Sequence, residues 1–368
     1  MKLNDSNSMN NQNSLLVTGG AGYIGSHTTL SLLQNGYKVV VLDNLSNSSS
    51  ESLRRVANLA HFAPIFVEGD IRDRTLIDQL LERHQVQAVL HFAGLKAVGD
   101  SVSDPLRYFD NNVSGTITLC QAMKNAGVFT LVFSSSATVY GDPAKVPISE
   151  DQPVGEVTNP YGRSKFMVEQ MLNDLASSDS RWRIGMLRYF NPAGAHESGQ
   201  IGEYPIGIPN NLIPYITQVA VGKLPELVVF GQDYSTPDGT GVRDYIHVVD
   251  LAEGHLAALK ALQTESGGMH VWNLGTGKGY SVLQIIKAFE VASGQPVPYR
   301  IATRRAGDIA TCYANPAKAA IELSWVAKRD LQTMMNDAWR WQLLNPNGFD
   351  VMNRTGNRGD SNSEKMEP

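Results

Sequence analysis

One stretch near the start of the chain restricts its fold more than any other: residues 14–27 read Ser-Leu-Leu-Val-Thr-Gly-Gly-Ala-Gly-Tyr-Ile-Gly-Ser-His. Gly19, Gly22 and Gly25 recur every third residue directly after the apolar run Leu15, Leu16, Val17. A buried strand ending in such a turn brings backbone without β-carbons up to an anion at the start of the next helix, which is how a phosphate cradle is built. Gly25 lets that helix lie close on the strand. A glycine triplet alone also occurs in plain turns, so the context decides. Thr28, Leu32 and Leu33 continue at helical spacing to a C-cap at Gln34-Asn35-Gly36, and a second strand over 38–42 ends at Asp43, eighteen residues after Gly25.

A carboxylate at that strand end accepts hydrogen bonds from a ribose 2′-hydroxyl and repels a 2′-phosphate, so the expected cofactor is NAD rather than NADP. No Arg in 44–47 reverses that choice. The competing reading, an Asp that only caps the next turn, is weakened by the glycine spacing. Downstream, strands and helices keep alternating. A polar loop over 46–50 leads to an amphipathic helix through Leu53, Val56 and Leu59, then to a strand at Ile65, Phe66 and Val67 that runs out into 68–73. In a parallel sheet, ligands bind beyond the carboxyl ends of strands, which makes Asp70 and Ile71 candidates to contact adenine. Asp73 can cap the following helix over 74–84, leaving Asp70 free. The strand over 88–92 ends in Ala93-Gly94-Leu95-Lys96, small residues where backbone passes near the cofactor; Lys96 either reaches a phosphate or is solvated. A helix expected over about 105–125 carries Asn111 and Asn112 in its middle, poor helix formers that call for a tertiary reason such as a buried Asn bracing adjacent loops.

The chemistry concentrates at the next strand end. The strand over 130–133 runs into Ser134-Ser135-Ser136-Ala137-Thr138-Val139-Tyr140-Gly141, hydroxyls that can orient a sugar. Twenty-five residues after Ser136, Tyr161 and Lys165 stand four apart on one face of a helix that continues through Val168 and Leu172. Tyrosine, with an ordinary pKa near ~10, is a poor base at neutral pH, but a lysine ammonium and an oxidised nicotinamide beside it favour the phenolate. A Tyr-x-x-x-Lys spacing is common by chance; behind a dinucleotide fold and a hydroxyl cluster it reads as catalytic.

Composition narrows the remaining classes. The 368 residues carry 31 basic and 36 acidic side chains spread along the chain, so there is no basic face for nucleic acid. Cys120 and Cys312 are too few and too scattered for a disulfide framework or a metal site, which suits a reducing cytoplasm. No apolar run reaches membrane-spanning length. The polar segments 1–13 and 350–368 read as disordered extensions, 14–189 as the dinucleotide-binding half and 190–349 as a smaller substrate lobe, with a strand near 269–274 that rejoins the large sheet.

With these residues in hand, the chain resembles the extended short-chain dehydrogenase/reductases over about 15–348, most specifically in 18–27, 91–99, 134–141, 187–192, 207–212 and 239–250. Within that family it is similar to the nucleotide-sugar 4-epimerases. The resemblance implies a doubly wound parallel α/β sheet with a smaller mixed lobe. It implies an NAD site lined by Tyr23, Ile24, Asp43, Asn44, Asp70, Ile71, Phe92, Ala93, Gly94, Lys96, Asn111 and Phe190, and a catalytic set of Ser136, Tyr161 and Lys165. A UDP-hexose would meet Asn191, Asn211 and Leu212 near its phosphates, Val228 and Phe230 near uracil, Arg243 and Arg305 on the diphosphate, and Asp308 at the uridine ribose. Guanidinium groups suit a buried diphosphate because they are planar and multidonor. The implied reaction is oxidation at sugar C4, rotation of the 4-keto sugar and reduction on its opposite face, interconverting UDP-glucose and UDP-galactose, in a homodimer paired through the helices near 105–125 and 161–175. In the family, the residue before the aromatic of Gly307-Asp308-Ile309-Ala310-Thr311-Cys312-Tyr313 lies by the sugar's C2 substituent; the small Cys312 leaves room for an N-acetyl group, or is an inert buried thiol. A 4,6-dehydratase needs acidic groups beside its active-site Ser or Thr, where this chain has Ala137 and Thr138, and a non-catalytic NAD sensor has no use for Ser136, Tyr161 and Lys165 together.

Overall fold

The computed structural model describes residues 14–350 apart from 265 and 306. The extensions expected over 1–13 and 351–368 lie outside the described residues. Seven parallel strands form the central sheet: β1 (Ser14–Thr18), β2 (Lys38–Asp43), β3 (Ile65–Glu68), β4 (Val86–His91), β5 (Thr130–Ser136), β6 (Arg183–Tyr189) and, after three strands of the second half, β10 (Gly268–Leu274). Their order across the sheet is β10-β6-β5-β4-β1-β2-β3. Leu15, Leu16 and Val17 are fully buried, as are Val40, Val41 and Leu42, because helices cover both faces of a parallel sheet and alternation of polar residues has no place there. Strand order reverses at β1, which has β2 on one side and β4 on the other, so the crevice for a ligand opens between the turns that follow β1 and β4.

The second half of the chain is partly woven into the first. β10 pairs in parallel with β6 over its whole length, from Gly268 opposite Arg183 to Leu274 opposite Tyr189. The Val248–Thr264 helix buries Leu251, Leu259 and Leu262 in the same core as Leu15, Val17 and Leu32. The remaining strands build the smaller lobe: β7 (Asn191–Ala193), β11 (Gly279–Ser281) and β13 (Thr311–Cys312) all pair with β9 (Val242–His247), and β8 (Leu227–Phe230) pairs with β12 (Tyr299–Ala302). Ile216, Ile285, Phe289 and Met335 form that lobe's own core. Among the described residues no helix is long and apolar enough to cross a membrane.

Two local expectations change. The single helix over 105–125 is instead a short α-turn at Pro105–Tyr108, a π-helical turn at Phe109–Ser114 and an α-helix at Gly115–Ala126. Asn111 and Asn112 sit in the π-turn, where the widened backbone directs buried Asn112 across to Leu95 and Ser164. Asp73 does cap the Arg74–Arg83 helix, accepting from Leu76 N at 3.0 Å, but Asp70 is not left free. It accepts from the backbone and guanidinium of Arg72 and from Asn44 Nδ2 at 3.0 Å, and these donors hold its carboxyl well below the usual range.

Candidate active site

The turn after β1 is held by contacts that admit only glycine at two points. Gly19 has φ +71°, and a β-carbon there would lie 2.6 Å from Ala93 N and 2.8 Å from the Phe92 carbonyl carbon. At Gly25 the same atom would stand 2.2 Å from Gly19 O. The turn therefore packs against the end of β4 on one side and its own helix on the other. That helix, Tyr23–Gln34, begins at Gly22 with no side-chain cap and no acidic residue in its first turn. Its opening N–H groups and the positive end of its dipole are thus uncompensated by the chain, the arrangement that receives a phosphate.

Asp43 is buried at the end of β2, where its carboxylate ties the following turn to the glycine turn. Its Oδ2 accepts from Ala21 N at 2.9 Å, inside the glycine turn, and its Oδ1 accepts from Leu45 N at 2.9 Å and Ser48 Oγ at 2.8 Å. Three of roughly four carboxylate acceptor positions are taken, which fixes the group in place and leaves an acceptor for a ribose hydroxyl. Ile71 is buried against Gly115, and the Phe92 ring lies 4.7 Å from that of His255, tilted by 45°. Tyr23 sends its hydroxyl away from the helix start, to Gly194 O at 2.6 Å, so its side chain ties the cradle to the second lobe. Lys96 is half exposed but paired: its ammonium meets Glu203 Oε1 at 2.9 Å, and Asn211 Nδ2 donates to the same oxygen at 2.7 Å.

The hydroxyl cluster and the Tyr-Lys pair come together at the end of β5. Asn159 caps the Pro160–Ser178 helix by accepting from Gly162 N at 2.9 Å, which sets Tyr161 in the first turn, facing the hydrogen-bonding hydroxyl of Ser136. Ser136 Oγ also accepts from Thr138 N at 3.2 Å and Thr138 Oγ1 at 3.0 Å. Ser136 is thus tied to Thr138 while its hydroxyl stands by Tyr161. Burial pushes the Tyr161 hydroxyl above its ordinary pKa, and the Ser136 bond opposes that. Lys165 is buried one turn further on; its Nζ donates to Ser134 O at 2.7 Å and lies 4.9 Å from the Phe133 ring centroid. Burial lowers its pKa to about 8, against the attraction of Glu169. A β-carbon on Gly94 would stand 3.5 Å from Lys165 Nζ, so the loop after β4 brings the cradle and the ammonium together.

The residues expected to hold a nucleotide sugar are spread over the smaller lobe, and one of them, Cys312, packs with Phe190 of the expected NAD site. Phe190 and Cys312 are buried in one apolar cluster with Ala137, Val139 and Tyr140, directly behind Ser136. Burial raises the Cys312 thiol to about 11, as for an inert packed cysteine. Arg305 pairs with Asp308, Nε to Oδ2 at 2.9 Å, and its guanidinium stands over the Phe230 ring at 4.9 Å. Val228 is half-buried one residue from the core of the β8–β12 ribbon. Arg243 donates to its own neighbour's carbonyl, Val242 O, at 2.9 Å and to Ala310 O at 3.5 Å, and has no carboxylate partner among the described residues. Asn191 is exposed on β7; Asn211 precedes the Leu212–Ala220 helix without capping it, and Leu212 packs half-buried on the lobe's core.

Sequence reasoning missed the layer beneath these groups. Glu169, one turn after Lys165, is buried in an ion pair with Arg188 of β6, and the pair touches Ser135 and Tyr140. The i, i+4 spacing of Lys165 and Glu169 was the available signal. Glu203, which gathers Lys96 and Asn211 into one contact, carried none, since its partners lie 107 and 8 residues away.

The model of the NAD dependent epimerase/dehydratase family matches residues 15–275. The UDP-glucose 4-epimerase of Bacillus subtilis (strain 168) is 61% identical over 335 residues, spanning 91% of this chain and 98% of its own length. A crystal structure of the UDP-glucose-4-epimerase of Stenotrophomonas maltophila, with bound NAD and formylated UDP-arabinopyranose, is 52% identical with a TM-score of 0.89, over 91% of this chain and 99% of that one. The Bifidobacterium longum UDP-glucose 4-epimerase, in complex with NAD+ and UDP, matches equally well, at 52% identity and a TM-score of 0.89 over the same shares. By fold, by cradle and by similarity along its length, the chain belongs to the NAD dependent epimerase/dehydratase family, among its UDP-glucose 4-epimerases.

Proposed function

We propose that the protein interconverts UDP-glucose and UDP-galactose by epimerisation at C4, with NAD as resident cofactor. The observation that carries this reading is the Ser136–Tyr161 hydroxyl pair, backed by Lys165 and opening toward the cradle between β1 and β4. The cradle fits a dinucleotide: a β-carbon at Gly19 or Gly25 would fill it, the helix start is uncapped, and Asp43 stands at the next strand end. NAD, when bound there, supplies reversible two-electron oxidation of the sugar carbon. Tyr161 takes the proton of the C4 hydroxyl and later returns it, while Ser136 holds that proton path in line. Lys165 keeps a positive charge one turn behind Tyr161 and is placed to bond the nicotinamide ribose. Arg243, with no acidic partner among the described residues, is the group poised to receive a diphosphate; Arg305 reaches the same ligand by giving up Asp308. Anchoring the UDP leaves the hexose free to turn between the two half-reactions, because only the transition state at C4 needs tight complementarity.

Purified protein incubated with UDP-galactose should yield UDP-glucose, resolved by chromatography; bound NAD with no conversion would overturn the reading, and a 4-keto-6-deoxy product would redirect it to dehydration. Cys312 supports a second, wider substrate range. Its small side chain packs beside Phe190 and Ala137 where a bulky residue would narrow the sugar pocket, so UDP-N-acetylgalactosamine is also a substrate in this reading. Cys312→Tyr should then remove turnover of the N-acetyl sugar selectively. Two copies of the chain pair through the helices near 105–125 and 161–175, where Leu106, Ile117 and Met167 are exposed; sedimentation at micromolar concentration tests this.

A further inference from the structure

A buried ion pair crosses the molecule directly beneath the catalytic groups. Glu169 and Arg188 bond in a bidentate fork, Arg188 Nε to Glu169 Oε1 at 3.0 Å and Nη2 to Oε2 at 2.6 Å, with 2% and 6% of their side chains exposed. Ser135 Oγ donates to the same Glu169 Oε1. Arg188 Nη1 reaches Tyr140 OH at 3.0 Å, and Tyr140 donates to Asn273 Oδ1 at 2.8 Å. Asn273 continues the chain of bonds to Ile148 O at 2.9 Å. The pair thus joins the Pro160–Ser178 helix, β5, β6, the turn that closes at Tyr140, and β10.

Energetics alone do not explain such a pair. Apolar residues of similar volume replace a buried ion pair with little loss and often with gain of stability, because two desolvation penalties disappear. The arrangement makes sense as registration. Glu169 lies four residues after Lys165 and eight after Tyr161, on the same helix face. Ser135 sits between Ser134, whose carbonyl receives Lys165, and Ser136, whose hydroxyl faces Tyr161. Ser135 is also directly opposite Arg188 in the β5–β6 ladder. Pinning Ser135 and Glu169 to one guanidinium therefore fixes the spacing between the helix that carries Tyr161 and the strand that carries Ser136.

We propose that Glu169 and Arg188 are positioning residues for the C4 chemistry, holding Ser136, Tyr161 and Lys165 in reacting register and setting the charge behind Lys165. The groups facing the Lys165 ammonium are the Ser134 carbonyl, the Phe133 ring, Asn112 beside Gly94, neutral His91 and the Glu169 carboxylate; Glu169 alone among them is anionic. Its removal disfavours the ammonium as well as loosening the register. This inference rests on the epimerase reading, and the parent enzyme's own turnover is the control that separates the two.

The test compares the parent with Glu169→Gln/Arg188→Met, which removes both charges of the buried fork together. The expected result is a folded protein with unchanged affinity for NAD and KM for UDP-galactose within about twofold, but kcat lower by about 10²-fold, the scale of an ångström-sized misplacement. The alkaline limb of its pH–rate profile should also move to lower pH, matched by an earlier deprotonation of Lys165 Nζ in 15N-lysine NMR. A folded double variant with parental kcat and pH limb would overturn the proposal. If circular dichroism shows the double variant unfolded, Ser135→Ala and Tyr140→Phe take over, since each removes hydrogen bonds to the pair without exposing a charge. Both should then lose kcat severalfold at unchanged KM, and parental rates in both would overturn it. Absence of turnover in the parent itself would count against the epimerase reading and leave the NMR comparison to decide the role of Glu169.

Discussion

Gly25 and Asp43, proposed for the cofactor, are buried and already committed to protein partners, whereas Arg305, Asp308 and Phe230, proposed for the nucleotide sugar, are more exposed and contact one another. Arg305 keeps 56% of its side chain exposed in its ion pair, while a β-carbon on Gly25 would overlap the backbone. The first region is shaped before any ligand arrives. The second is a set of exchangeable contacts that a diphosphate can take over, since an exposed ion pair contributes only about 0–1 kcal/mol and is given up easily. A cofactor that returns to its starting state each cycle calls for the first kind of site. A substrate that must be gripped by one end, turned and released calls for the second.

The sharpest way to break this contrast is Gly25→Ala. Overpacking a backbone contact of 2.2 Å should cost about 3 kcal/mol or more, seen as a lower urea midpoint together with loss of bound NAD. A variant that keeps both would show that the cradle is as adaptable as the other lobe. Next is Arg243→Ala. Loss of a charge-assisted contact to the diphosphate of about 2 kcal/mol should raise KM for UDP-galactose by roughly 30-fold while the melting temperature stays put, because no carboxylate loses a partner.

Lys165 lies between the regions and gives a pH signature. Burial lowers its ammonium from the ordinary 10.5 to about 8, so over that interval the unfolded chain binds the extra proton and stability attributable to this group rises with pH. Lys165→Met should accordingly abolish turnover yet gain most in melting temperature near pH 7, with the gain shrinking by pH 10. A gain that grew with pH would reverse the sign. In the parent, activity should fall on an alkaline limb near pH 8 as the ammonium is lost. The smallest effect is expected at Lys96→Ala, which removes an exposed bond to Glu203 and should change stability by less than about 1 kcal/mol.

What could be read from the sequence was what the local chain decides. The glycine turn, the strand ends at Asp43 and Asp70, the Asp73 cap and the Tyr161–Lys165 face each depend on residues a few positions apart, and each takes the local form its spacing implies. Where a distant partner decides, the sequence was silent. Lys96 finds Glu203 in the other lobe, Asp70 accepts from Asn44 at the end of a different strand, and Glu169 meets Arg188 nineteen residues on, in the strand that follows its helix. The π-turn through Asn111 and Asn112 belongs with these, since helical periodicity continues through it and only the cross-links of Asn112 to Leu95 and Ser164 give it a reason. In the substrate lobe Arg305 and Asp308, expected as separate ligand contacts, pair with each other three residues apart, and Phe230, distant in sequence, lies under the guanidinium.

The most direct measurement is Tyr161→Phe beside the parent, with UDP-galactose as substrate and the two UDP-hexoses resolved by chromatography. The parent should convert it toward a mixture of both epimers. The variant should bind NAD and UDP as the parent does and turn over about 10²-fold to 10⁴-fold more slowly, the range for losing a positioned general acid–base group. Equal rates in parent and variant would contradict the assignment of the C4 proton to Tyr161.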